Sequence, residues 1–387
     1  MENRDFEKLI NKEYSSLKNN FFSGRYFPYL QIETGLKKLS ETFNLKIEGY
    51  SVQQRPIYSV EFGKGTTKVL MWSQMHGNES TTTKAVFDLF NLMETQSSFS
   101  SKILNHCNIK IIPVLNPDGT EVYTRENHNN IDLNRDALNL SQPESRVLDE
   151  IFKKFHPDFC FNLHDQRSIY SAGEKKQPAT ISFLAPSADE DKSFTSSRKK
   201  AMKLIASLTD FLQNYIPGKI GRYDDAFNLN CVGDKFQANK VPTILFEAGH
   251  FPGDYQREET RRFVFLSLAK TLLDICEKKY LSVDFEEYFK IPENKKLFYD
   301  IIVRNVAHDD QLFDLGIQYE EKLNRNKLEF NPIVKRIGDL SSFFGHREIK
   351  EKDKNKPLSI PFIPNIDTKA DYITLNGNVV LLKLSKS

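Results

Sequence analysis

The feature that most restricts the fold is a regular alternation of short apolar runs with longer amphipathic segments between residues 58 and 280. The segments STTTKAVFDLFNLME and KLIASLTDFLQNYI carry apolar residues every three or four positions, as amphipathic helices do. Strands that alternate with helices predict an α/β domain with a largely parallel sheet. The runs that we interpret as buried strands are YSVEF, KVLMWSQM, IKIIPVL, PDFCFNLHDQ and VPTILFEAGH.

The two ends of the chain differ from this central part. Residues 1–50 are interpreted as amphipathic helices, since GLKKLSETFNL has apolar residues at helical spacing. After about residue 290, short strand-like runs alternate with charged or Asn/Gly/Pro-containing stretches, and LNGNVV is typical of a β-hairpin. We therefore predict an α/β domain over residues 1–285 and a small β-rich domain over residues 290–387.

Polar side chains stand where several of these apolar runs end. His76, Asn116, His164 and Glu247 each follow a run that is predicted to be a strand. In open α/β sheets the active site lies outside the carboxyl ends of the strands. We therefore expect these four residues to meet in one crevice.

The motif HGNE (76–79) suggests a metal site, because residues three apart on a helical turn can point to a common centre. Together, His76, Glu79 and His164 would form the His₂Glu set of a catalytic zinc site, which leaves one position open for water. Two simpler interpretations stay open: HGNE can be a capped helix start, and His164 can be a hydrogen-bonded core histidine.

The segment NPDGTEVYTRENHNNIDLNRD (116–136) carries groups suited to binding oxygen atoms. Arg135 and Asn134 could hold a carboxylate through parallel hydrogen bonds, and Arg125 could stabilise an oxyanion. Glu247 ends an apolar run, where it could act as a general base. The alternatives are a solvated loop with ion pairs for the segment and a buried ion pair for Glu247.

Composition excludes several other classes of protein. Lys and Arg (54) nearly balance Asp and Glu (52), so a nucleic-acid binder with a broad basic surface is not expected. The four cysteines are far apart and form no CxxC pair, which argues against a disulfide scaffold and a Cys-ligated zinc site. No run of about 18 apolar residues predicts a membrane span, and the first 20 residues lack the apolar core of a signal peptide. We expect a cytoplasmic protein.

HGNE, NPDG, Arg125, DLNR, NLH and FEAG follow one another in an order that resembles the M14 zinc carboxypeptidases. The resemblance covers about residues 45–275 of the chain. It implies a mixed, largely parallel sheet of about eight strands with helices on both faces. It also implies one Zn²⁺ per chain, bound by His76, Glu79 and His164.

The same resemblance implies the roles of the residues around the metal. Arg125 would bind the scissile carbonyl, Asn134 and Arg135 would bind the C-terminal carboxylate of the substrate, and Glu247 would be the base. The expected partner is a peptide or amino-acid conjugate with a free carboxylate. Neither a nucleic acid nor a membrane is expected as a partner.

The chain departs from the family pattern at two positions, and a third group of residues bears on specificity. Digestive members have an arginine where this chain has Asn78. The nearest candidate for the family's mobile substrate-binding tyrosine is Tyr223, although its loop does not align cleanly. Asp224, Asp225 and Asp234 lie where the family builds its side-chain pocket, so they are candidates for binding a basic residue, with solvated loop acids as the alternative.

The function expected from these residues is zinc-dependent removal of C-terminal residues from peptides. A zinc-dependent N-acyl amino acid deacylase or a murein-peptide amidase of the same superfamily is the alternative, because HGNE also occurs in related deacylases. The complete segment from NPDG to DLNR favours the peptidase. A catalytically silent binding protein is a further alternative of another class.

Overall fold

The computed structural model describes residues 14–95, 97–351 and 356–384. The described chain forms two compact units. The first comprises the chain up to Gln166 together with Ala179–Asn294, and the second comprises Arg167–Pro178 together with the chain from Lys295 onward. The domain limits predicted from the sequence, 1–285 and 290–387, stay a prediction.

The first unit is built on an eight-stranded mixed sheet in the order β1-β2-β4-β3-β5-β9-β7-β8. The four strands β4, β3, β5 and β9 at its centre are mutually parallel. The strands of the sheet are β1 (Asn44–Tyr50), β2 (Pro56–Phe62), β3 (Thr67–Ser73), β4 (Cys107–Ile112), β5 (Phe159–Asp165), β7 (Ile181–Leu184), β8 (Ile220–Arg222) and β9 (Thr243–Ala248). This architecture, with the β-rich second unit described below, confirms the predicted fold class.

Helices cover the sheet, and two apolar clusters lie on its opposite faces. Along β3, Val69 and Met71 belong to the larger cluster, whereas Leu70 and Trp72 belong to the smaller one. Side chains of a strand alternate between faces, so a strand that is apolar throughout is covered on both sides. The helices are α1 (Tyr29–Leu39), α2 (Thr81–Glu94), α3 (Ser98–His106), α4 (Pro117–Val122), α5 (Pro143–Phe155), α6 (Ser196–Leu212), α7 (Val232–Ala238) and α8 (Glu258–Glu277).

One local prediction was wrong. Residues 44–50, interpreted as helical, form the edge strand β1, because antiparallel pairing with β2 satisfies their backbone groups and overrides a weak helical pattern. The NPDG stretch begins helix α4. Asn116 caps this helix by accepting a hydrogen bond from the Gly119 N–H, and Pro117 occupies its first turn. Residues 1–13 of the predicted N-terminal helices lie outside the described residues.

The second unit is rich in β-structure, as predicted. Its largest sheet contains the path β13-β12-β11-β14. The LNGNVV stretch is the expected hairpin: Leu375 pairs with Asn378, and Asn376 (φ 49°) and Gly377 (φ 77°) supply the two positive φ angles of a type I′ turn. The strands are β6 (Tyr170–Ala172), β10 (Asn294–Lys296), β11 (Phe298–His308), β12 (Gln311–Asn324), β13 (Lys327–Gly338), β14 (Phe344–Ile349), β15 (Leu358–Ser359), β16 (Tyr372–Leu375) and β17 (Asn378–Leu381).

Among the described residues, no helix has both the length and the apolar character that crossing a bilayer requires.

An ion pair ties helix α2 to helix α8 in the interior of the first unit. The Arg261 guanidinium donates to both carboxylate oxygens of Asp88, at 2.8 and 2.6 Å, and neither side chain is exposed. Arg261 also donates to the carbonyl oxygens of Phe22 and Asn19, which attaches the N-terminal segment to the same centre. The pair therefore holds three parts of the fold together.

Replacing Asp88 with alanine removes the buried carboxylate that accepts two hydrogen bonds from Arg261 and leaves Glu258, 3.2 Å from Nη1, as the remaining acidic partner, so we expect the free energy of unfolding to fall by about 3–5 kcal/mol. Urea unfolding followed by circular dichroism measures the change. Asp210→Ala, at an exposed position of α6, is the control, with an expected change within about 0.5 kcal/mol. Equal losses in the two variants would contradict a stabilising role for the pair.

Candidate metal centre

The three candidate metal ligands come from two segments that the sheet brings together. His76 and Glu79 lie in the turn between β3 and helix α2, and His164 lies near the carboxyl end of the neighbouring strand β5. Strands β3 and β5 are parallel and in register up to the pair Ser73–Leu163. The turn after β3 therefore emerges beside the end of β5, and all three side chains are buried.

Their potential ligand atoms form a tight triangle. His76 Nδ1 lies 2.8 Å from Glu79 Oε1, His164 Nδ1 lies 2.8 Å from Glu79 Oε2, and the two Nδ1 atoms are 3.1 Å apart. One ligand atom from each residue lies within 4.8 Å of those from the other two. The structure thus brings the predicted ligand set to one point.

This triangle fits a zinc ion in both chemistry and size. Two imidazole nitrogens and one carboxylate form a donor set found at catalytic zinc sites. Ligand atoms about 2.0 Å from a tetrahedral ion are about 3.3 Å from one another, and the three spacings here are 2.8, 2.8 and 3.1 Å. The approach of the His76 and His164 nitrogens to 3.1 Å suits two lone pairs that converge on one cation.

The electrostatics of the triangle favour an ionised carboxylate. Burial opposes ionisation of Glu79, but the imidazoles of His76 and His164 outweigh it and lower the pKa of the carboxyl group. Burial lowers the pKa of His164, whereas Glu79 and Asp132 outweigh burial at His76 and raise its pKa. The lowered pKa values of Glu79 and His164 favour the carboxylate and the neutral imidazole that bind a metal, whereas at His76 a bound metal would have to displace a proton.

Asp132 holds the other side of His76 and was missed as a functional residue in the sequence. Its Oδ1 lies 3.0 Å from His76 Nε2, and its Oδ2 accepts hydrogen bonds from Arg125 Nε and Nη2 at 3.1 and 3.0 Å. A carboxylate on the second ring nitrogen sets the tautomer and orientation of a metal-binding histidine. The signal was present, because Asp132 is the first residue of DLNR.

Arg125 lies beside the ligand triangle. Its Nη1 is 3.2 Å from His76 Nδ1 and 3.4 Å from Glu79 Oε1, and its side chain is 41% exposed. Burial disfavours the guanidinium, but the Glu79 and Asp132 carboxylates outweigh it and raise the Arg125 pKa. The result is a permanently cationic donor that is both next to the triangle and open to a ligand.

The backbone of the turn between β3 and α2 is constrained. Gln74 has a φ of 47°, which is uncommon for a residue other than glycine, and its side chain donates to the Gly77 carbonyl at 2.8 Å. A Cβ on Gly77 would lie 2.0 Å from the Gly119 carbonyl carbon. Only glycine therefore allows this turn to pack against helix α4.

Glu247 lies on β9 directly opposite His164 on β5, in parallel register. Residues paired in this way point to the same face of the sheet. Its Oε2 is buried and has no hydrogen-bond partner among the described residues. Burial raises the Glu247 pKa well above its usual range, and the Glu79 and Asp165 carboxylates raise it further. An unsatisfied carboxylate beside a candidate metal centre is typical of a catalytic acid or base.

The predicted carboxylate-binding residues lie on the short 3₁₀ turn Leu133–Arg135. Asn134 Oδ1 accepts a hydrogen bond from Val232 N, while Arg135 is exposed and donates to the Asn134 carbonyl and to Cys231 Sγ. The turn directly follows Asp132, and Asp132 contacts His76. Asn134 and Arg135 are therefore two and three residues from a contact of the candidate metal centre.

The other sequence candidates occupy different places. Asn116 is fully buried as the cap of helix α4, so it does not join the other three strand-end residues at the metal centre. Tyr223 follows β8, where its backbone N–H donates to the Phe183 carbonyl, and its role in binding substrate stays a prediction. Asp224 is exposed and accepts from the Ala226 N–H within its own loop.

Comparison with known proteins places the chain in a family. The family model for zinc carboxypeptidases of the M14 type matches residues 32–224. The chain belongs to this zinc carboxypeptidase family. The match includes the three candidate metal ligands, Arg125 and the Asn134–Arg135 turn, and it ends before Glu247.

Curated relatives match only part of the chain, at low sequence identity. It is 31% identical over 111 residues to Carboxypeptidase 2 of Trichophyton rubrum, which is 28% of this chain and 21% of the relative. It is 28% identical over 131 residues to Carboxypeptidase SOL1 of Arabidopsis thaliana, which is 29% of this chain and 27% of the relative. The matches thus span about a quarter of the length of these proteins.

Solved structures share the zinc carboxypeptidase fold. A metallo-carboxypeptidase from Burkholderia cenocepacia matches with a TM-score of 0.53 and 15% identity, over 65% of this chain and 69% of that one. Thrombin activatable fibrinolysis inhibitor matches with a TM-score of 0.52 and 14% identity, over 70% and 80% of the two chains. At these identities the likeness concerns the fold.

The remaining acids of the expected family pocket differ in their partners. Asp225 is paired with Arg198 and Lys192, at 2.5 and 2.8 Å. Asp234 is buried on helix α7 and accepts the Asn228 N–H. Burial raises the Asp234 pKa to about 7, more than its hydrogen bonds lower it. Within the part of the chain that the structure describes, Asp225 has ion-pair partners and Asp234 has none.

The raised Asp234 pKa predicts a specific pH dependence of stability. Folded chains keep the Asp234 proton up to about pH 7, whereas unfolded chains lose it near pH 4. The folded state therefore binds more protons in this window, and stability falls as the pH rises through it.

Asp234→Asn should remove the pH dependence that comes from Asp234. As the pH rises from 4 to 8, the free energy of unfolding of the variant should therefore increase by up to about 4 kcal/mol relative to that of the unsubstituted chain. Urea titrations across this range measure the difference. Asp224→Asn, at an exposed site in the preceding loop, should follow the unsubstituted profile. Parallel profiles for Asp234→Asn and the unsubstituted chain would show that the pKa is not raised.

Proposed function

We propose that the chain is a zinc metallocarboxypeptidase that hydrolyses C-terminal residues from peptides. The observation that carries the proposal is the convergence of His76, Glu79 and His164 with Glu247 in register beside His164. Membership in the zinc carboxypeptidase family and the preserved Asn134–Arg135 turn support it. One Zn²⁺ per chain would be held by the three ligands.

When bound, zinc supplies Lewis acidity that polarises a carbonyl group and makes water easier to deprotonate. Asp132 keeps the His76 ring oriented through Nε2 and leaves Nδ1 facing the centre. Glu79 faces the same point as an ionised carboxylate. The chain's own residues carry out the proton transfers and hold the substrate.

Glu247 is the proposed general base. Its buried carboxylate has an oxygen without a hydrogen-bond partner, so it can accept a proton from the attacking water. As the carbon–nitrogen bond breaks, the same carboxyl group returns the proton to the leaving amine. The raised pKa of Glu247 favours retention of that proton between the two steps.

Arg125 is proposed to bind the oxygen of the scissile carbonyl. Its guanidinium is anchored by two hydrogen bonds to Asp132 and faces the triangle through Nη1. Negative charge develops on the carbonyl oxygen during attack, and a fixed cationic donor stabilises that charge more than it stabilises the neutral carbonyl.

Asn134 and Arg135 are proposed to select substrates with a free C-terminal carboxylate. Arg135 is exposed, and its guanidinium can bind a carboxylate through two parallel hydrogen bonds. Asn134 Oδ1 accepts the Val232 N–H and Arg135 donates to Cys231 Sγ, which holds the pair against the start of helix α7. Tyr223 is proposed as an additional substrate contact.

Glu247→Gln removes the base but keeps the size of the side chain, so we expect kcat to fall by at least about 100-fold. Zinc content, measured by atomic emission after dialysis, should stay at one ion per chain, because Glu247 is not a proposed ligand. Glu150→Gln, on the exposed face of helix α5, is the matched control. Unchanged turnover in Glu247→Gln would eliminate the proposed mechanism.

Arg135→Met removes the proposed carboxylate contact, so KM for peptides with a free C-terminus should rise about 10- to 100-fold, with a smaller change in kcat. Steady-state kinetics on blocked dipeptides measure both constants, and C-terminally amidated peptides should be poor substrates for both proteins. The control is Arg146→Met, an exposed arginine of the same region. Faster hydrolysis of N-acyl amino acids than of blocked dipeptides would favour the deacylase alternative.

A further inference from the structure

Helix α2, which begins two residues after Glu79, does not cap its own first turn. The residue in the N-cap position is Ser80, a good capping residue by type, but its side chain makes no capping hydrogen bond. Its hydroxyl group donates to the Arg25 carbonyl instead. The first turn also contains no acidic residue. The N–H groups at the start of this helix therefore need an acceptor from elsewhere in the fold.

Asp165 supplies that acceptor from strand β5. Its Oδ2 accepts the Thr81 N–H at 3.0 Å and its Oδ1 accepts the Thr82 N–H at 3.3 Å. The Asp165 residue is only 8% exposed. A buried carboxylate at this position satisfies two backbone donors and complements the positive end of the helix dipole.

The backbone of Asp165 makes a third connection to the same segment. Its N–H donates to Glu79 Oε2 at 3.1 Å, and the residue directly follows His164 in the chain. Asp165 thus joins the strand that carries one candidate ligand to the turn and helix that carry the other two. These links reach Glu79 itself and the first two residues of helix α2.

We propose that Asp165 is a positioning residue for the metal centre, and that its carboxylate sets the spacing between the Glu79 and His164 ligand groups. The proposal rests on the zinc site of the proposed function. Asp165 touches neither the substrate nor the metal. Loss of the Asp165 carboxylate allows the start of α2 to move relative to β5. This movement separates the Glu79 and His164 ligand atoms, which must lie about 3.3 Å apart around one ion.

Two substitutions test this role in the full-length chain. Asp165→Ala removes both carboxylate contacts, and Asp165→Asn keeps one acceptor oxygen but loses the charge and the second acceptor. We expect zinc to bind about 10- to 100-fold more weakly to Asp165→Ala, with an intermediate loss for Asp165→Asn. Competition with a chromophoric chelator measures the dissociation constant without any assay of activity.

A matched helix-cap substitution separates positioning from general stability. Thr195 caps helix α6 by accepting the Arg198 N–H at 3.2 Å, so Thr195→Ala also removes an N-terminal cap. Both alanine variants should lower the melting temperature of the zinc-free chain by a few degrees. Only the Asp165 variants should weaken zinc binding.

The outcomes distinguish this proposal from the function on which it rests. If both Asp165 variants bind zinc with the dissociation constant of the unsubstituted chain, Asp165 is only a helix cap and the proposal is overturned. The proposed zinc peptidase function would not be affected by that result. If Thr195→Ala weakens zinc binding as much as Asp165→Ala does, the proposed positioning role of Asp165 is overturned as well. An unsubstituted chain that takes up no zinc would overturn both. If Asp165→Ala does not fold, the affinity of Asp165→Asn decides.

Discussion

The structure of the candidate centre depends on the parallel pairing of β5 with β3 on one side and with β9 on the other. Backbone hydrogen bonds fix the register of both pairs, so His164 and Glu247 lie side by side and the turn carrying His76 and Glu79 leaves β3 next to them. A slip of one residue would turn each of these side chains to the opposite face of the sheet. Apolar residues are buried on both faces of β3, so neither face of this strand reaches solvent.

The polar groups around the centre form a connected set with different tasks. Asp132 contacts His76 and anchors Arg125, so the candidate metal ligand and the proposed oxyanion donor share one support. Asp165 performs the corresponding task at the other edge of the triangle. Glu247 differs from both, because one of its oxygens has no partner within the part of the chain that the structure describes. Such a buried, unsatisfied acceptor costs stability and is expected where a group must exchange a proton.

Much of this arrangement was predictable because it depends on local patterns. Apolar runs located the central strands, and the hairpin at Asn376–Gly377 followed from residues that tolerate positive φ. Three of the four residues expected at the strand ends meet, whereas Asn116 caps helix α4 because its side chain satisfies a nearby backbone N–H first. Residues 44–50 were misread since pairing with β2, a tertiary contact, decides between helix and strand there.

By itself, the sequence determined the α/β class, the strand ends and the identity of the residues that could bind a metal, because hydrophobic periodicity and residue chemistry are local properties. Only the tertiary structure decided which groups support them. Asp132 and Asp165 are 33 residues apart in sequence, and only the folded chain shows that Asp132 contacts His76 while Asp165 caps the helix after Glu79. Such contacts arise when the sheet brings distant segments together, and side-chain packing then determines which donors and acceptors can meet.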